Sequence, residues 1–219
     1  MDREKFYTAA DYLKTRSEDI QNHERGYKVP GVPKVRTHLQ AFLDGTLQER
    51  VDVLGRGALD LLGWQLQDPL NELAAVAPAE FRAALGALWA SPLRAEQADT
   101  FWAILDPALD RLKPRKSKAF NGIGARTTVV SYLLYVADPT RFPFYMPSYG
   151  GKAIDYLYSK SKREKLDDGS PGVLMRAYTQ RCTYLLREFR DAGVGFEDMM
   201  DLHSGLHLLA RDFLKAGQA

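Results

Sequence analysis

No stretch of this chain alternates polar and apolar residues with period two for long enough to demand a strand. Apolar residues recur instead at three- and four-residue spacings through most of its length. That pattern predicts an all-α, multi-helix globular fold, with Phe142 to Tyr145 the one weak strand candidate. Phe6, Ala9, Ala10, Leu13 and Ile20 predict a helix over 2–24. Two prolines and two glycines in Gly26–Pro33 predict a non-helical link, whose Tyr27 and Lys28 can touch a ligand but read better as a core-covering loop. A helix over 34–44 should end at Gly45, and Thr46-Leu47-Gln48-Glu49 has the form of a capping box opening a helix through Leu62. Trp64–Pro69 reads as a break before a short helix with Leu70, Leu73 and Val76. Pro78 suits the first turn of the next helix, and Pro107 should kink or split the one over 94–112. Further helices are expected from Ala125, at Lys152-Ala153, over 173–191 closing at Gly193, and over 196–214. The chain divides into an N-terminal helical part, 1–112, and a part holding a helix-hairpin-helix element and the C-terminal helices, 113–219. The two are expected to form one compact domain.

With 45% hydrophobic and 26% charged residues, 219 residues can bury a sizeable core, which excludes a disordered chain. No apolar run approaches the roughly 18–20 residues of a membrane span, and the start, MDREKFYTAADYLK, has no signal-peptide pattern. One cysteine, Cys182, excludes an internal disulfide framework and suits a reducing cytoplasm. On its amphipathic helix it reads as a small buried hydrophobe rather than a nucleophile.

The overall charge of +2 hides an asymmetry. Residues 111–165 carry 12 Lys/Arg against three acids, a net of +9, and the rest of the chain nets −7. Charge segregated in this way points to a polyanionic partner, against the alternative of solvated helix ends. Inside that segment, Asn121-Gly122-Ile123-Gly124 precedes an apolar helix. The two glycines allow positive φ and close backbone approach, Ile123 can plug the core, and the free amides of the helix start suit a phosphate. Arg115, Lys116, Lys118, Arg126 and Thr127 adjoin the turn. No Gly-x-x-x-x-Gly-Lys-Ser/Thr motif is present, so nucleotide hydrolysis by a P-loop is excluded.

The turn and its basic flank resemble the DNA-backbone clamp of helix-hairpin-helix DNA glycosylases. That resemblance implies a catalytic acid about 20 residues beyond the hairpin and, in bifunctional members, a lysine just after it. Here the acid's place falls in Phe144-Tyr145-Met146-Pro147 and the lysine's place carries Arg126, which is always protonated and forms no Schiff base. The clamp is therefore expected without the chemistry. A divergent glycosylase or lyase stays open as the alternative, as does a protein-interaction module with a basic face.

A second resemblance spans roughly 80–210. Phe81–Trp89, Phe101-Trp102, the Gly-x-Gly turn, Ala137-Asp138-Pro139-Thr140-Arg141-Phe142-Pro143-Phe144-Tyr145, Lys152-Ala153 and Asp198–Ser204 occur in the order found in the N-terminal module of McrB-like AAA+ restriction proteins. That resemblance implies a non-enzymatic specificity module binding double-stranded DNA, plain or base-modified, for an AAA+ motor and a nuclease. Pro143 and Pro147 should hold the aromatic strip extended. Phe142 and Phe144 are expected beneath the hairpin, leaving Tyr145 and Tyr149 as the candidates to line a base pocket. Trp64, Trp89 and Trp102 read as core anchors. Lys160–Lys165 is either a phosphate-contacting or a solvated loop. His203 and His207 share a helix face, but no third ligand lies near, so no metal or other cofactor is expected.

Overall fold

The computed structural model describes residues 1–47, 52, 54, 57–159 and 169–216. Among them there is no strand, and Phe142–Tyr145 has no regular secondary structure. Helix α1 (Arg3–Thr15) is capped by the Asp2 carboxylate, which accepts the Lys5 amide at 3.2 Å, and buries Phe6, Ala9, Ala10 and Leu13. A wider, π-wound turn over Asp19–Glu24 leads into α2 (Arg25–Leu43).

Helix α2 overturns the expected link at Gly26–Pro33, since Pro30 and Pro33 both lie inside it. Each proline removes one internal amide donor, a cost that propensity alone would not offset. Burial offsets it: Lys28, Gly31, Val32, Val35, Leu39 and Phe42 are all buried along this helix. Gly31 is a close approach, because any side chain there would meet the carbonyl oxygen of Ala58. The helix ends where expected, with Gly45 at φ +71° in the left-handed region.

The capping box is not realised at its threonine, whose hydroxyl donates back to the Ala41 carbonyl at 3.0 Å; Glu49 lies outside the described residues. Residues 57–62 are turn and irregular structure rather than helix, although Leu54, Leu59, Leu61 and Leu62 are buried as their apolarity requires. The expected break at Trp64–Pro69 is instead the start of α3 (Trp64–Val76), with Pro69 inside it. Pro78 opens α4 (Pro78–Leu88) at its first turn. Pro107 ends α5 (Gln97–Leu105), handing the chain to a 3-10 turn over Asp106–Arg111. A short α6 (Pro114–Ser117) and a 3-10 turn (Lys118–Phe120) then lead into α7 (Ile123–Ala137).

Helix α7 is the axis of the molecule. Residues 127–136 are all buried, so the helix shows no polar face and must be surrounded. Phe120, Val129, Val130, Tyr132–Val136, Phe142 and Phe144 join the apolar residues of α2–α5 in one core. A second core joins α1 to α8 (Lys152–Tyr158), α9 (Pro171–Asp191) and α10 (Met199–Leu208). Packing thus crosses residue 112 freely, and the N-terminal helix belongs with the C-terminal ones. Helix α9 ends before Gly193, at φ +83°. No helix among the described residues is long and apolar enough to cross a membrane.

Candidate functional site

The segment from Lys113 to Arg126 folds as α6, the 3-10 turn and the first turn of α7. Gly122 is the N-cap residue of α7, at φ −100° and ψ 142°, and the helix begins at Ile123 rather than Ala125. The positive φ expected for Gly122 and Gly124 is not used: the first is extended and the second already helical. The first helical bond runs from the Arg126 amide to the Gly122 carbonyl, so the amides of Ile123, Gly124 and Ala125 precede the helical ladder. Asn121 and Gly122 are exposed, while Ile123 is half-buried against the second core.

The flanking cations divide into two groups. Arg126 is spent inside the protein. Its Nε donates to the Phe120 carbonyl at 2.7 Å, its two terminal nitrogens clasp Asp106 at 3.2 and 2.6 Å, and its guanidinium lies 5.0 Å from the Trp102 ring. Lys116 is held by Asp68 at 2.8 Å and by Glu72. Hydrogen bonds to Asp68, then to Glu72, raise its pKa above the ordinary lysine value. Thr127 is buried, with its hydroxyl bonded to the Ile123 carbonyl at 2.8 Å. Lys116 is already committed to two carboxylates, and Arg126 and Thr127 cannot face a ligand in this arrangement. Lys113, Arg115 and Lys118 can: each is exposed and makes no ion pair among the described residues.

Pairing takes up part of the charge asymmetry. Arg111 bonds Glu80 at 2.5 Å, and Arg126 and Lys116 bond acids of 68–106. At these three positions the basic segment is neutralised by acids that lie apart from it in sequence.

The aromatic strip does not form the expected base pocket. Phe142 and Phe144 are buried as expected, but so is Tyr145, which is 6% exposed and packs edge-on against Tyr178 at 5.0 Å. Its backbone amide donates to the buried Ser131 hydroxyl at 2.9 Å, fixing the strip to α7. Tyr149 is half-buried, with its ring 4.4 Å from that of His207.

One aromatic residue does reach solvent beside the free cations. Trp64, expected in the core with Trp102, is 69% exposed. It opens a groove of about 370 Å³ with Gln65, Asp68, Arg115, Lys116 and Ala119, between the start of α3 and the α6 segment. Sequence carried a signal for this: Leu70, Leu73 and Ala74, with the partly buried Leu66, mark the inward face of α3, and Trp64 lies opposite Leu66 on that helix. Trp102 is buried and Trp89 is half-buried with its indole N–H bonded to the Leu133 carbonyl at 3.1 Å.

Elsewhere, His203 is buried and His207 half-buried, and no cluster of three His, Cys, Asp or Glu suited to a metal occurs among the described residues. Burial pushes the Cys182 thiol up to about 12, so it is no thiolate nucleophile at neutral pH. Lys160–Lys165 lies outside the described residues.

Arg126→Ala should therefore lower stability by about 2 kcal/mol, from loss of charge-assisted hydrogen bonds and a stacking partner. In a chain of this size that is a fall of roughly 4–8 °C in Tm. A melting curve that does not move would show that the fork is dispensable.

Comparison of the chain with protein-family models, with curated proteins and with solved structures finds no match.

Proposed function

We propose that this chain is a DNA-binding specificity module with no catalysis of its own, comparable in role to the N-terminal modules of McrB-like restriction proteins, where an AAA+ motor and a nuclease act. The observation that carries the reading is the exposed trio Lys113, Arg115 and Lys118, free of ion pairs among the described residues and leading directly to the start of α7. Phosphates approaching that segment meet three exposed cations, the exposed Asn121 and the amide-bearing end of a 15-residue helix. Such contacts position a duplex without reading its sequence. Arg126 supports the surface from behind, and the charge of Lys116 is taken up by Asp68 and Glu72.

The test is the salt dependence of duplex binding. Each lost phosphate contact should reduce the slope of log affinity against log salt by about 0.9. The triple variant Lys113→Ala, Arg115→Ala, Lys118→Ala should thus flatten it by roughly 2–3 and weaken binding to all sequences alike. A chain with no salt-sensitive affinity for duplex DNA, plain or base-modified, refutes the proposal.

A further inference from the structure

We infer that the Trp64 groove stacks an unpaired base of a single-stranded nucleic acid segment; this rests on the DNA-binding reading and names what that surface takes beyond the duplex backbone. A tryptophan that is 69% exposed has no packing reason to be so large, and it stands at the mouth of a groove within the roughly 300–1,000 Å³ range of small-molecule pockets.

The charge of the groove selects its occupant. Within it, the single cation Lys116 faces two carboxylates, Asp68 and Glu72, so the floor carries a slight net negative charge that disfavours a phosphate and leaves room for an uncharged ring. Free cations stand at its edge and beside it, on Arg115 and Lys118, where the backbone on either side of a bound base would run. Proteins hold single strands by combining cations that track the backbone with aromatic platforms for the bases, since every base offers a π-face, and Arg115, Lys118 and Trp64 supply these two parts here. The Gln65 amide lines the same groove and presents a donor and an acceptor to a base edge. A base paired inside a duplex cannot reach Trp64, so the groove adds affinity only where a base is already free.

The experiment compares the full chain on a 12-mer of deoxythymidine, on a blunt duplex and on the same duplex with a single-stranded overhang, by anisotropy and by tryptophan fluorescence. Because Trp102 is buried and Trp89 is half-buried and hydrogen-bonded, quenching by the single strand reports mainly on Trp64. The overhang should tighten binding over the blunt duplex. Trp64→Ala should abolish that gain and weaken single-strand binding roughly 5- to 150-fold, the worth of one stacked base, while changing blunt-duplex affinity less than twofold. Trp64→Phe should retain most of the gain. If blunt duplex binds but the overhang adds nothing, or Trp64→Ala weakens both ligands equally, the stacking site is wrong and the duplex-binding reading stands. If neither ligand binds, both fall.

Discussion

Lys28→Met is expected to destabilise the fold by about 3 kcal/mol, read from the urea midpoint at neutral pH. Lys28 is fully buried, in the part of α2 that the sequence pattern assigns to a loop. Its ammonium is bonded to Glu24 at 2.9 Å and to the buried Ser204 hydroxyl at 2.7 Å, joining the π-wound turn and α2 to α10. Burial opposes its charge and lowers its pKa, with Glu24 pulling the other way. Taking one partner from a buried ion pair leaves the other charge uncompensated, at a cost of roughly 3–5 kcal/mol. The low end applies because the Glu24 side chain is 14% exposed and reaches some water. The double variant Lys28→Met, Glu24→Gln should recover much of the loss, since it removes the stranded charge as well. Equal stabilities for the wild type and Lys28→Met would show that the pair holds nothing together.

That lysine also illustrates what the sequence made legible. Local periodicity located the apolar faces of α1, α4, α5 and α9, and local chemistry located the start of α4 at Pro78 and the ends of α2 and α9 at Gly45 and Gly193. Gly26–Pro33 reads as a link because its propensity is poor, and it is helical because Lys28, Gly31 and Val32 are buried by elements distant in sequence. The site shows the same limit. Exposed Lys113, Arg115 and Lys118 look in sequence no different from Lys116 and Arg126, and only the positions of Asp68, Glu72 and Asp106 separate them. Tyr145 seemed surface-facing by its polar tip, yet the Ser131 hydroxyl fixes its backbone inward.

Acid should unfold this protein earlier than its carboxylates alone would dictate, and His203 is the reason. It is buried between the rings of Tyr135 and Phe144, at 5.9 and 5.6 Å, and its Nδ1 finds no partner among the described residues. Burial, then the nearby Lys28 and His207, lowers its pKa well below 6.5, so the folded chain keeps it neutral. The unfolded chain binds that proton at the ordinary histidine pKa of about 6.5, so below this pH the unfolded state holds more protons and stability falls as pH falls. One histidine kept neutral costs roughly 2 kcal/mol between pH 7 and 5 by this linkage. His207, whose pKa burial also lowers, adds to the loss with the same sign. Asp2, Glu80 and Asp212 have lowered pKa values, so the stability they contribute is present above about pH 4 and is lost only below it, outside the histidine window. Urea midpoints at pH 7, 6 and 5 should decline for the wild type and decline much less for His203→Leu, which has no proton to gain. A wild-type midpoint that holds steady across this range would mean that His203 is protonated in the folded chain, and would require an acceptor for Nδ1 in a site walled by two rings.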